Sequence, residues 1–333
     1  MNRLVHPLRF QRLFLEKIWG GRALERCPGF ALPANVPVGE TWEIVDRADQ
    51  QSQVSSGPHA GRALAELIRE HRDDLLGKAP TTPQGRFPLL VKYIDADEAL
   101  SVQVHPDDAG ARLLGGGAEG KTEAWYFLEA RSGGGVWSGL RPDVTRAVLE
   151  RHLGTGELVG LLEHHSVVAG TSLTVPGGTV HAIGAGVTLL EVQQNSDTTY
   201  RLYDWDRPGL DGRPREMHLE RGLAAAHVGA VPLPPVAPDW QPFAKHARRA
   251  PMARSRHFGM NRIELTGPTR LSTGDQFQIY AAVQGAGRLT VKDAGAHLDL
   301  ACGDVVLVPA AAGYHVFEPA ESILGLVQFM HKA

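Results

Sequence analysis

Ser101, Gln103 and His105 occupy alternate positions in LSVQVHPDD, and Lys121 and Glu123 repeat that spacing in GKTEAWYF. Residues two apart on an extended strand face the same side. Each phrase therefore turns its polar members one way, while Leu100, Val102 and Val104 face a hydrophobic layer on the other. His181 follows directly on the glycine turn of VPGGTVH, a position from which a strand can carry a ligand into a barrel mouth. Imidazole nitrogen together with amide and carboxylate oxygen suits a divalent cation of borderline softness. Gln103, His105, Glu123 and His181 form such an N2O2 set, and zinc is the favoured ion. Any one of the 15 histidines is by default a surface or satisfied core residue. The conjunction of Gln-x-His, Lys-x-Glu and the turn before His181 singles this set out.

The elements that must position these residues are mostly strands. Thirty-eight glycines and 22 prolines spread along 333 residues imply many tight turns between short strands, an all-β dominated fold. The length is roughly twice the ~150 residues of one domain. Residues 39–56 alternate apolar and polar positions and predict a strand pair closed by a turn. Helical periodicity replaces this pattern near 60–77 and again near 142–164, two small insertions. Strands resume at Phe87 and between Ser172 and Tyr203. The segment 231–242, VPLPPVAPDWQP, has five prolines and no period, and reads as a linker. Beyond it, 258–330 returns to strands, and VLVPAAAGYHVFEP echoes VPGGTVHAI, as two copies of one β-barrel would. The expected organisation is a catalytic barrel over 1–230, a linker over 231–242 and a second barrel over 243–333. That second barrel offers His315 without companion ligands and reads as structural.

Bulk properties narrow the partners. A formal net charge of −3 gives no basic surface for nucleic acid. No run reaches the ~18 apolar residues of a membrane span. His6, Pro7 and Arg9 interrupt the place of a signal peptide, so a cytoplasmic location is expected, with no membrane partner. Cys27 and Cys302 lie far apart in sequence and read as reduced thiols, neither a metal ligand. Nothing in the sequence distinguishes a monomer from a homodimer.

The strings ALSVQVHPDD, GKTEAWYF, VPGGTVHAIGAGVTLLEVQQNSDTTYRLYDWDR and PLRFQRLFLEKIWGG resemble the short bacterial form of the type I mannose-6-phosphate isomerases, members of the cupin superfamily. The likeness spans most of the first 210 residues, and the last third matches only at the level of fold. It implies two jelly-roll barrels, one zinc ion on Gln103, His105, Glu123 and His181, and a sugar phosphate as substrate. It further implies that Ser101 and Lys121 lie near that substrate, that Arg201 is the active-site arginine, that Asp197 and Glu191 line the pocket, and that Trp19 and Trp42 belong to its wall. One departure stands out: longer members carry a histidine directly before the lysine of Lys-x-Glu, where this chain has Gly120. Those members also insert a large helical domain, of which 142–164 is at most a remnant.

Interconverting an aldose and a ketose passes through an enediol. It needs a cation to polarise the carbonyl and a base to carry the proton. Arg201 would add fixed positive charge where the enediolate forms. Asp197, Glu191 and a metal-activated water are the options for the base, whereas Lys121 as a cation suits phosphate binding or oxygen stabilisation better. In TTYRLYDWDR, Arg201 has an alternative as the surface partner of Asp204 or Asp206. Two other functions compete: a metal-dependent cupin oxygenase, and a sugar-binding or regulatory cupin without catalysis.

Overall fold

The computed structural model describes residues 3–332. Six strands form one antiparallel sheet, in the order Leu13–Gly21, Val38–Ile44, Leu89–Ala96, Val187–Gln194, Glu123–Ala130 and Ser172–Val175. Five more form the sheet that faces it, in the order Tyr200–Tyr203, Val102–Val104, His181–Ile183, Gly135–Leu140 and Leu162–Ser166. Trp19, Ile94, Trp125, Phe127, Val136 and Ile183 fill the space between them. A seven-stranded and a four-stranded sheet repeat the arrangement around Ile263, Tyr280, Leu289, Val306 and Phe317. The all-β, two-barrel expectation is met.

A shared core joins the barrels. In the strand Leu89–Ala96 every residue is buried, because both faces are covered. Val91 and Tyr93 point outward to meet Met252, Phe258, Ile279 and Phe329 of the second barrel, while Lys92 and Ile94 point into the first. The strand Val187–Gln194 divides likewise, with Leu190 and Val192 at the junction and Glu191 inside. A lysine and a glutamate are thus carried into a barrel interior by strands that hydrophobic packing holds on the opposite face.

The local readings are met in part. The first helix runs Leu64–Leu76, starting after a turn in which Gly57 and Gly61 have left-handed φ of 81° and 79°. Its Leu64, Leu67, Ile68, Leu75 and Leu76 enter the shared core. The stretch 142–164 is not one helix. It forms Arg146–His152, capped by the Thr145 side chain, then the 3-10 turn Gly156–Leu161 and the strand Leu162–Ser166, the break coming at Gly154 with φ 76°. Within 39–56 only the first arm is a ladder strand. After the turn at Arg47–Gln50 the chain pairs through single bridges, Val54 with Phe10 and Gln53 with Ala63. The proline-rich segment is pinned rather than free, since Val236 exchanges backbone hydrogen bonds of 2.9 and 2.7 Å with Ser172.

The reading of two reduced thiols is corrected. Cys27 and Cys302, 275 residues apart, form a disulfide with their Cα atoms 5.7 Å from each other. The loop after Ala23–Arg26 lands on the turn before Val305–Val308, where Gly29 N donates to Cys302 O at 2.8 Å. Arg12 spans the same junction, donating to Gly29 O and Gly303 O. Strand pairing over such a distance leaves no trace in local sequence, which is why separation alone misled. Among the described residues no helix is long and apolar enough to cross a membrane.

Candidate metal centre

Register alone builds one row of the site. His181 is the strand partner of Gln103, and Gln103 that of Arg201, so three polar side chains stand abreast on the inner face of the five-stranded sheet. On the facing sheet Glu123 is paired with Gln193, and Glu191 lies between Lys92 and Trp125. His105 follows the end of its strand and is fixed by the glycine turn: Gly178 N donates to His105 O at 2.6 Å. Gly178 has φ 91° and packs on the His227 ring, a conformation and a clearance that favour glycine.

The predicted ligands converge. His105 Nε2 lies 3.3 Å from Glu123 Oε1, His181 Nε2 lies 3.6 Å from Glu123 Oε2, and the Gln103 amide lies 3.3 Å from His181 Nε2. Donor atoms of His105, Glu123 and His181 all fall within 4.8 Å of one another. Both imidazoles are oriented from behind, with Nδ1 donating to Thr198 O from His105 and to Thr179 O from His181, each at 2.8 Å. A carbonyl only accepts, so Nδ1 carries the proton and Nε2 is left bare toward the centre. Burial pushes the His105 pKa down to about 3, aided by the Lys121 ammonium, and burial lowers that of His181 too. Both rings are held neutral, as a ligand must be.

Glu123 supplies the charge. Burial alone would raise its pKa, but the Lys121 ammonium holds the carboxylate well below its ordinary range. Its Oε1 takes the Lys121 ammonium at 2.6 Å, whereas its buried Oε2 has no hydrogen-bond donor. Two bare imidazole nitrogens and an unsatisfied carboxylate oxygen are a donor set for a cation of zinc's kind. Gln103 joins it through its amide oxygen once the amide is turned end for end.

The centre closes one end of a cavity of about 320 Å³ lined by Trp19, Ser101, Lys121, Glu191, Asp197 and Arg201 among others. Trp19 and Ser101 are buried. Asp197 sits at the rim, its carboxylate 2.8 Å from Arg47. Trp42 does not line the cavity; its indole N–H donates to Glu40 at 2.7 Å, and Glu40 does. Arg201 is not the partner of Asp204 or Asp206: Asp204 is taken by Arg207 and Arg215, and Asp206 accepts from Tyr203. A larger cleft of about 510 Å³, behind Gly120 and beside His257 and His331, lacks a convergent ligand set. Gly120 itself faces Asp108, and a Cβ there would meet that residue's side chain and its backbone N, so a larger residue requires Asp108 to shift.

Sequence reading missed a string of charges that runs from the half-exposed Lys17 into the barrel interior. Lys17 lies 3.6 Å from Glu40, Glu40 3.4 Å from Lys92, and Lys92 3.4 Å from Glu191. Burial opposes ionisation of Glu40, yet Lys92 and Lys17 outweigh it and hold its pKa at about 2. Glu191 goes the other way: burial and the nearby Glu123 push it up to about 7 against the pull of Lys92. Its second oxygen accepts from Trp125 Nε1 at 2.9 Å. The available signal was Lys92 itself, a cation amid LLVKYI in a strand otherwise apolar at that point.

A family model described as phosphomannose isomerase type I, catalytic domain, matches residues 8–123. Mannose-6-phosphate isomerase ManA of Bacillus subtilis (strain 168) is 37% identical over 283 residues, 85% of this chain and 87% of the relative. The crystal structure of mannose 6-phosphate isomerase from Bacillus subtilis superposes with a TM-score of 0.87 at 31% identity, over 98% of this chain and 99% of its own. A zinc-bound holo mannose 6-phosphate isomerase superposes with a TM-score of 0.74 at 18% identity, over 98% of this chain and 100% of its own, and speaks for the fold alone. With its two cupin barrels and a likeness that runs nearly end to end, the chain belongs to the type I phosphomannose isomerase family.

Proposed function

We propose that this chain is a zinc-dependent aldose–ketose isomerase interconverting mannose 6-phosphate and fructose 6-phosphate through an enediol(ate). The observation that carries the reading is the meeting of His105, Glu123 and His181 at the end of a cavity whose other walls present Lys121, Glu191 and Arg201. A volume of about 320 Å³ suits one small ligand. Gln103, His105, Glu123 and His181 would hold the ion, which when bound supplies Lewis-acid polarisation of the sugar carbonyl.

The protein's own groups do the rest. Glu191 is the base: it lines the cavity, Lys92 lies 3.4 Å from one of its oxygens, Trp125 donates to the other, and burial raises its pKa above the ordinary carboxylate range. Asp197, drawn to the rim by Arg47, is less suited to that task. Arg201 faces the developing enediolate as fixed positive charge. Ser101 and Lys121 bind substrate, Trp19 forms an apolar wall, and Trp42 acts by fixing Glu40. The catalytic unit is 1–230, 231–242 is its link to the structural unit 243–333, and the enzyme works in the cytoplasm on a small sugar phosphate.

An oxygenase on the same barrel would have little use for the guanidinium of Arg201, a cation on the cavity wall that is engaged by a backbone carbonyl and so favours an anionic substrate. The test is a coupled isomerase assay on mannose 6-phosphate and on free mannose, before and after chelation, alongside zinc and iron analysis. Turnover of the phosphorylated sugar that chelation removes and zinc restores is expected. Iron content with dioxygen uptake, or tight sugar binding with no isomerisation, overturns the reading.

A further inference from the structure

The strand Tyr200–Tyr203 that carries Arg201 ends in a reversal through Trp205 and Asp206, whose φ values are 59° and 52°. The chain then loops out, closes on itself where Gly209 N donates to Arg213 O at 2.6 Å, and returns alongside its own strand. The returning arm is stitched onto Arg201 at three points. His218 N donates to Arg201 O at 2.9 Å, Arg201 N donates to His218 Nδ1 at 3.2 Å, and Arg201 Nη1 donates to Glu216 O at 2.7 Å. Among the described residues no carboxylate lies within 4.0 Å of the Arg201 guanidinium, and its buried Nε has no partner. Its aim into the cavity therefore rests on one backbone carbonyl, that of Glu216.

The residue next to that carbonyl is the anchor. Arg215 grips Asp204 with two N–H groups, its Nε donating to Oδ2 at 2.6 Å and its Nη2 to Oδ1. Such a fork fixes direction as well as distance. Asp204 is buried and also accepts from Arg207 at 3.2 Å, and Arg207 in turn donates to Ala99 O at 2.6 Å. Trp205 Nε1 donates to Leu100 O at 2.7 Å. One carboxylate thus ties the arm that holds Arg201 to the segment that leads into Ser101 and the neighbouring strand. Arg201 and Arg215 both line that cavity, and Asp204 supplies the negative charge that lets two guanidinium groups stand together there.

We propose that Arg215 and Asp204 are positioning residues for the isomerase reaction: they hold the 207–216 arm so that Glu216 O aims the Arg201 guanidinium at the reacting carbons. The inference rests on the function proposed above and adds to it a pair whose effect passes through Arg201. A guanidinium displaced by about 1 Å loses much of its effect on a transition state, on the order of 100-fold in the extreme.

A double-mutant cycle on the zinc-loaded enzyme tests this. Arg215→Ala is expected to lower kcat about 10- to 100-fold with KM changed by no more than about 3-fold and zinc content intact. In an Arg201→Ala background the same change is expected to do nothing further. Arg215→Lys, which keeps the charge and loses the fork, should behave like Arg215→Ala. Asp204→Asn leaves all three arginines in place and carries the same test where Arg215→Ala does not fold. Additive losses in the double mutant, an unchanged kcat in Arg215→Ala, or full activity in Arg215→Lys would each overturn the inference. A wild-type enzyme inactive on mannose 6-phosphate sinks the proposed function instead, before the cycle begins.

Discussion

His181 and His315 occupy the same place in two copies of one barrel, and their surroundings differ. Each begins or enters a strand after a small-residue turn, each is buried, and each turns Nδ1 toward the carbonyl two residues before it, Thr179 O at 2.8 Å and Gly313 O at 3.3 Å. Burial lowers both pKa values, that of His315 to about 4. In the first barrel the bare Nε2 meets a carboxylate and another histidine's nitrogen shares the space. In the second it meets the Tyr280 hydroxyl at 3.0 Å, and Gln328 closes the network by donating to Gln278 at 3.0 Å and to Tyr280 at 3.3 Å. The backbone delivers a histidine to both interiors. Only the first leaves charge and lone pairs unsatisfied there, and a neutral network whose donors and acceptors are paired has nothing to offer a cation.

Replacing the two histidines separates the proposed metal centre from a paired neutral network. His181→Ala or Glu123→Gln should abolish zinc binding and lower kcat/KM by at least about 1000-fold. His315→Ala should leave both within about 2-fold and instead cost about 1–3 kcal/mol of stability, because Tyr280 loses a buried partner. Metal analysis, the coupled assay and a denaturant titration read all three; a loss of zinc in His315→Ala would erase the contrast. Next in size is Arg201→Ala, expected to lower kcat about 100- to 1000-fold while zinc content stays at the wild-type level. Unchanged activity there would remove Arg201 from the chemistry.

Much of the first barrel's centre was legible because its signals are local. Period-two spacing put Gln103 beside His105 and Lys121 beside Glu123, and the Pro-Gly-Gly turn announced His181. Lys17 and Glu40 were not found, since each looks like an ordinary polar residue in its own strand, and Lys92, a lone cation in an apolar run, becomes part of a string only through the register of Glu40 near Lys92 and of Lys92 opposite Glu191. The helix expected over 142–164 failed at Gly154, where a left-handed turn outweighs the apolar periodicity on either side. The pairing of Cys27 with Cys302 follows from Leu8–Arg9 joining the second barrel's sheet beside Val305–Val308, a crossover that no spacing records.

That crossover bears on how independent the two barrels are. In a chain-entropy account, a bridge closing so long a loop contributes about 5–6 kcal/mol, and bridges typically realise about 2–4 of this. The shared core between the barrels contains more than a dozen fully buried apolar side chains, at about 1.5–3 kcal/mol each before conformational entropy is charged against them. The bridge is therefore auxiliary to packing. Cys27→Ser, or wild type reduced with a dithiol, should lose about 2–4 kcal/mol in a denaturant titration with kcat within about 2-fold of the oxidised enzyme. A collapse of activity on reduction would mean that the second barrel shapes the first barrel's site through this bridge, against the division drawn above.

The smallest effect is the one that probes charge inside the first barrel most directly. Glu191 has its folded-state pKa raised from 4.5 to about 7, by burial first and Glu123 second. Between those values the folded protein holds a proton on Glu191 that the unfolded chain releases, so this group's contribution to stability falls as pH rises through the window and its cost is fully present above 7. Glu40, held at about 2, has the opposite sign: its contribution is complete above 4.5 and is lost only as pH falls toward 2. In chelated protein Glu191→Gln should therefore remove the Glu191 contribution between 4.5 and 7 and leave the variant more stable than wild type at pH 8. In the zinc-loaded enzyme the ionised base is the active form, so kcat/KM should rise with pH along a limb centred at or below 7, because a cation at His105, Glu123 and His181 lowers a neighbouring carboxylate's pKa. The histidines held neutral by burial add stability as pH rises over part of the same window, so the reading is the difference between Glu191→Gln and wild type: a difference that is level from pH 5 to pH 8 would show Glu191 already ionised at pH 5, and the base would have to be sought at the rim with Asp197.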